Sequence, residues 1–341
     1  MVLTFEELQM KLSQGDFAPI YLVQGTDQYL LDQTRQLFTN LISPDDQALN
    51  LGQFDLTETP LNTALDDARA VPFFGDFRVV ILDNAYFLTG ESSRGKVEHN
   101  PDEMLDYLGQ PEPQTILVIF APYEKLDARK KVVKQLKERA EYLPFGDLTE
   151  QDIIQIIKAR IEKQAFTISK PAMDELLRLT NLSLTQIMSE LDKLILYASD
   201  SKLIELDAVQ ALVTPTLSDN IFNLIEHLLT GSLTNAVRLY HELILSGEEP
   251  LRLNGAILGQ FRLLIQVKAL TQSEKAIASL LKVHPYRVKL AKKTVRNFSM
   301  RALAQAYLGL VNIEEQLKST QRDPELLFEL FIMRYQHDLA G

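Results

Sequence analysis

Pro19-Ile20-Tyr21-Leu22-Val23-Gln24-Gly25-Thr26-Asp27-Gln28-Tyr29-Leu30-Leu31, residues 19–31, is the stretch on which the fold turns. A short apolar run ends at a glycine and leads into a helix that starts near Asp27, the order strand, turn, helix. Two further runs are apolar without alternation: Arg78-Val79-Val80-Ile81-Leu82-Asp83 and Thr115-Ile116-Leu117-Val118-Ile119-Phe120. Strands apolar on both faces and separated by helices predict a parallel sheet covered on both sides. Between them, residues 60–70 read as a helix with Leu61, Leu65 and Ala68 on one face, and residues 89–100 as a polar loop. Upstream, Thr4 and Glu7 form a capping box that opens a helix over 4–14.

Beyond about residue 125 strand signals fade, apart from a short one at Tyr142-Leu143-Pro144-Phe145. Helix follows helix: about 149–163, 171–180, 183–199, 207–213, 217–229, 232–246, 250–270, 273–282, 285–296, 299–317 and 323–339. Pro144, Pro171, Pro215, Pro250, Pro285 and Pro324 sit at or near helix starts, where a missing N–H is tolerated, and Ser183 with Gln186 forms another capping box. Thr214-Pro215-Thr216 reads as a boundary between two helical units.

The chain has 341 residues, 46% hydrophobic and 24% charged, room for two or three domains. It has no cysteine, which excludes disulfides, thiolate metal sites and thiol nucleophiles. Its first twenty residues show no secretory signal, and no run approaches a membrane span, so the expected compartment is the cytoplasm and no membrane partner is expected. The net charge is -11, but it is unevenly spread. Residues 1–124 hold 20 acids against 6 bases, whereas 251–313 hold 11 bases and one acid, Glu274. A basic block of this kind either docks on an acidic neighbour or touches phosphate.

The glycine turn after residue 24 is where a nucleotide-binding domain carries its phosphate loop. Gln24-Gly25-Thr26-Asp27 lacks the second glycine and the Lys-Ser/Thr pair, and Asp27 would repel phosphate. Asp83 ends a strand as a magnesium-holding acid would, but Asn84 follows, and a capping or turn role is favoured. His99, His227, His241, His284 and His337 show no metal-ligand spacing. Adjacent carboxylates such as Asp66-Asp67 read as solvated rather than as an acid–base couple. No catalytic constellation emerges. Val71-Pro72-Phe73-Phe74-Gly75 stands out instead. Two consecutive aromatics in a helix-to-strand turn are either a core plug or an exposed anchor offering roughly 300–500 Å² of apolar area.

Several segments together resemble the delta-subunit family of bacterial DNA polymerase III clamp loaders. They are Ile20-Tyr21-Leu22-Val23-Gln24-Gly25, Pro72-Phe73-Phe74-Gly75 with Arg78-Val79-Val80-Ile81-Leu82, and Lys125-Leu126-Asp127-Ala128-Arg129-Lys130-Lys131. Further on come Glu190-Leu191-Asp192-Lys193-Leu194, Ile221-Phe222, Gln260-Phe261-Arg262-Leu263-Leu264 and Val283-His284-Pro285-Tyr286-Arg287-Val288-Lys289. The resemblance implies an α/β plus all-α chain in three parts. These are a degenerate AAA+ RecA-like domain with a parallel sheet (1–146), a three-helix lid domain (147–214) and an all-helical collar domain (215–341). It implies a non-ATPase subunit of a DNA-directed DNA polymerase holoenzyme, a nucleotidyltransferase, with no cofactor and no bound nucleotide. Its implied partners are the beta sliding clamp, the loader's ATPase subunits through the collar, and primed DNA. The clamp-binding element would be Val71, Pro72, Phe73 and Phe74, with the aromatics exposed; the double Phe is bulkier than the family's usual pair. Lys289, Lys292, Lys293 and Arg296 become candidates for DNA or subunit contact. The rival readings are an active AAA+ ATPase with an atypical phosphate loop, and a free-standing nucleic-acid-binding protein.

Overall fold

The structure is a computed structural model, and it describes every residue except 1, 74, 91–96, 147 and 341 and the side chains of 338–340. The chain divides into two compact units, Met1–Ile153 and Ile154–Gly341.

The first unit runs α1 (Phe5–Ser13), β1 (Ile20–Gln24), α2 (Gln28–Thr39), α3 (Gln47–Asn50), β2 (Leu51–Asp55), α4 (Leu61–Ala68), β3 (Arg78–Asp83), α5 (Pro101–Gly109), β4 (Thr115–Ala121), α6 (Lys131–Arg139) and β5 (Glu141–Pro144). The five strands form one parallel sheet in the order β2-β3-β4-β1-β5, with Ile20 opposite Leu117 and Val80 opposite Leu117 on the other side. Alternate residues of each strand enter opposite cores, as the pleat dictates. Tyr21, Val23, Val79, Ile81, Ile116 and Val118 pack with Leu8, Leu31 and Phe38 of α1 and α2. Ile20, Leu22, Val80, Leu82, Leu117 and Ile119 pack with Leu61, Leu65, Met104, Tyr107, Val132 and Leu136 of α4, α5 and α6. The doubly covered parallel sheet expected from residues 19–31 is therefore present. The capping box at Thr4 and Glu7 is formed in both directions.

β2 was not foreseen. It is an edge strand whose residues are only partly covered, and its Leu51-Gly52-Gln53-Phe54-Asp55 sequence has no apolar run to announce it.

From α7 (Glu150–Glu162) onward the chain is helical except for a two-residue parallel pair, β6 (Thr167–Ile168) with β7 (Leu203–Ile204). Around that pair lie α8 (Lys170–Leu179), α9 (Leu184–Tyr197) and α10 (Leu206–Leu212). There follow α11 (Leu217–Leu229), α12 (Leu233–Leu245), α13 (Pro250–Ala269), α14 (Glu274–Leu281), α15 (Pro285–Val295), α16 (Met300–Ser319) and α17 (Pro324–Ala340). One core gathers Leu224, Leu253, Phe261, Val288, Leu310 and Phe328 from five of these helices. Tyr240 and Phe328 stack at 3.9 Å, joining α12 to α17. Pro171, Pro250 and Pro285 occupy the first or second helical position, as expected, whereas Pro144 instead ends β5 opposite Gln24, where an edge strand tolerates the missing N–H.

Candidate functional site

The segment between α4 and β3 carries the apolar pair on a built base. Val71 is 64% exposed and Phe73 70% exposed. Pro72 between them is half-buried. Phe74 lies outside the described residues, so the aromatic pair is represented by Phe73 alone, with Val71 projecting beside it. The backbone N–H of Phe73 donates to Oδ1 of Asn50 at 2.9 Å, and Asn50 is itself buried at the end of α3. A backbone donor held by a buried side chain fixes the loop while leaving the Phe73 ring outside.

Either side of the loop is also anchored. The Tyr107 hydroxyl donates to the Ala68 carbonyl at the end of α4, and the Arg69 guanidinium lies 5.6 Å from the Tyr107 ring. On the strand side, buried Arg78 donates Nη2–H to Asp67 at 2.6 Å. This corrects the expectation for Asp66-Asp67: Asp66 is exposed, but Asp67 reaches in to neutralise Arg78. Gly52 of β2 makes room for that carboxylate, because a Cβ there would stand 2.3 Å from Asp67 Oδ2. Asn50 and the Asp67–Arg78 pair escape sequence reading, since nothing local marks a polar side chain as buried.

The turn after β1 is filled by the chain itself. Gly25 has φ +152°, and a Cβ there would meet Phe145 Cβ at 2.6 Å and the Phe145 carbonyl at 2.8 Å. Asp27 caps α2, accepting the Leu30 N–H at 3.0 Å, and burial pushes its carboxyl up from the ordinary range. A carboxylate therefore sits on the helix N-terminus that a phosphate would need. Asp83 neither caps nor turns: both its oxygens lie 2.6 Å from Arg35 Nη1, and that guanidinium rests 4.5 Å over the Phe120 ring. No cluster of three metal-ligating side chains occurs among the described residues.

In the second unit, the basic candidates sort into two kinds. Lys289, Lys293 and Arg296 are exposed at spacings of four and three on and just beyond α15, so they share one stripe. Lys289 lies 5.7 Å from the Tyr286 ring. Lys292 leaves the stripe: its ammonium donates to the Gln272 carbonyl at 2.8 Å and clips the start of α14 to α15. Close to α15, Arg178 of α8 joins Glu175 at 2.8 Å, and Asp219 and Asn223 of α11. Burial pushes the Asp219 carboxyl up to about 6 against the pull of Arg178.

Two family descriptions match segments of this chain. The profile described as DNA polymerase III, delta subunit, matches residues 21–145, and the one described as its C-terminal domain matches residues 218–335. DNA polymerase III subunit delta of Bacillus subtilis is 36% identical over 327 residues, 95% of this chain and 94% of that one. A probable DNA polymerase III subunit delta of Aquifex aeolicus is 22% identical over 237 residues, 69% of this chain and 66% of that one. Among solved structures, the Bacillus subtilis DNA clamp loader delta protein matches with a TM-score of 0.70, covering 97% of this chain and 98% of that one.

Proposed function

This chain belongs to the delta-subunit family of DNA polymerase III, and from that membership we propose that it binds the sliding clamp through Val71, Pro72, Phe73 and Phe74 and favours the clamp's open form. The observation that carries the reading is an apolar pair, Val71 and Phe73, held outside a domain whose loop backbone is fixed to buried Asn50. Rigid apolar side chains entering a desolvated pocket dominate interfaces of this kind. Opening is then a population shift: the chain contributes the difference between its affinities for open and closed clamp, and nothing more.

The chain works without a nucleotide of its own in this reading. Support comes from Phe145 packed against Gly25 and from Asp27 seated on the α2 N-terminus. Equilibrium binding of ATP to the purified chain at micromolar concentrations would overturn that part. We divide the molecule functionally into a clamp-binding domain (1–146), a lid (147–214) and a collar (215–341) that meets the loader's ATPase subunits. The α15 stripe of Lys289, Lys293 and Arg296 faces either a neighbouring loader subunit or primed DNA.

The test of opening uses a clamp closed on nicked circular DNA. Adding the full chain without ATP should speed clamp release over the spontaneous rate. An unchanged rate at saturating chain would contradict the opening role.

A further inference from the structure

A second basic surface lies on the first unit. Residues 1–124 carry 20 acids and 6 bases, yet residues 125–139 carry seven bases and two acids. Three of the seven are spent internally. Lys130 donates to the Phe87 carbonyl at 2.9 Å, Arg139 to the Leu108 carbonyl at 2.8 Å, and Lys137 lies 4.8 Å over the Tyr142 ring. The other four point outward, although the Lys125 ammonium lies 3.2 Å from the exposed Glu124 carboxylate. The side chains of Lys125 and Arg129 are 85% and 88% exposed. Lys131 and Lys134 are exposed one turn apart on α6, with no side-chain hydrogen bond or ion pair among the described residues.

Stability does not account for this placement. α6 starts with Lys130 at its N-cap and Lys131 at its first position, with no acid in the first turn and no side-chain cap. Cations at the positive end of the helix dipole destabilise it. Arg129 is also held in a fixed pose: Nε and Nη2 each donate to Asp127 at 2.9 Å, which leaves Nη1 for an outside acceptor.

We propose that Lys125, Arg129, Lys131 and Lys134 form a ridge that contacts the phosphate backbone of duplex DNA. No large hydrophobic residue is exposed between residues 122 and 139. A protein partner would need such anchors, and interfaces are depleted of lysine. Single-stranded nucleic acid would need exposed rings for stacking. A duplex backbone needs only cations. The ridge follows the C-terminal end of β4, whereas Val71 and Phe73 precede the N-terminal end of β3. The parallel strands therefore separate the two surfaces, and a duplex on the ridge leaves the apolar loop uncovered. The proposal rests on the family membership and not on the role given to residues 71–74.

The test uses the full chain carrying Lys131→Gln and Lys134→Gln, assembled with its loader partners. Binding to primed duplex is measured across salt concentration, and clamp binding of the same variant is measured separately. The slope of log affinity against log salt should become shallower by about 0.9 per lost contact, or about 1.8 in all. Clamp affinity and melting temperature should hold, since the substitutions remove unfavourable charge from a helix start. Arg129→Gln, outside the helix, should lower the slope by about 0.9 on its own. Unchanged DNA affinity and slope in an intact loader would overturn the proposal. So would failure of loader assembly with DNA binding retained, which would assign the ridge to a protein.

Discussion

His99 shows how a single side chain can hold up the start of an element. Its Nδ1 accepts the Leu61 N–H at 3.2 Å at the head of α4, and its Nε2 lies 2.7 Å from the Leu56 carbonyl. That pairing requires the neutral ring with its proton on Nε2. Burial pushes its pKa below 6.5, against the partial support of the Leu56 carbonyl. A group depressed on folding contributes stability above its unfolded pKa and loses it as pH falls through the folded value. The first unit should therefore lose stability as pH drops below about 6.5, and His99→Gln should flatten that loss. Melting of both proteins across pH 5–8 checks this; parallel curves would contradict it. His99 was legible only as a histidine without metal spacing, because its partners come from residues 56 and 61. Phe73 was legible as an anomaly, since two aromatics beside a proline cannot both belong to a regular face. Its exposure does not follow from the local residues, which leave core plug and anchor equally open; only the family resemblance implied it, and the tie to Asn50, 23 residues away, is what fixes the loop.

At the scale of elements, β3 and β4 declare themselves because both faces are buried, and their unbroken apolar runs of four and six residues have no other use. β2 does not, because an edge strand needs no such run, and β6 and β7 are too short to carry any pattern. The helices of the second unit were readable from capping residues and prolines, as where Ser183 accepts the Gln186 N–H, whereas Glu249, which accepts the N–H groups of Leu251 and Arg252, did not stand out as a cap. What no local pattern reveals is the tie among elements. Gly52 of β2, Asp67 of α4 and Arg78 of β3 interlock beneath the candidate loop. Gly52→Ala should push Asp67 off Arg78 and leave a buried guanidinium without its carboxylate. Breaking such a pair costs about 3–5 kcal/mol. A melting shift of under 1 °C in this variant would contradict the interlock.

At the scale of the whole molecule, the chain combines an acidic α/β unit with a helical unit whose basic block was visible by counting. Counting alone did not distinguish Lys292, which serves the fold, from the stripe of Lys289, Lys293 and Arg296. Charge reversal of those three should weaken loader assembly or DNA-stimulated loading, with clamp affinity of the isolated chain unchanged. Assembly and loading both at wild-type level would contradict the role given to α15. Lys292→Ala should instead act on stability alone, by about 1 kcal/mol for one lost hydrogen bond to a carbonyl.

Val71 and Phe73 stand outside the fold, and their proposed role is to enter the clamp. The most direct measurement is the equilibrium affinity of a folded Val71→Ala, Phe73→Ala variant for the cognate sliding clamp. Exposed side chains contribute little to the fold, so the variant should melt as the unmodified chain does. Truncating two interface anchors at ~2 kcal/mol each removes ~4 kcal/mol. Affinity should then fall by about a thousandfold. A variant that melts normally and binds the clamp as tightly as before would contradict the account.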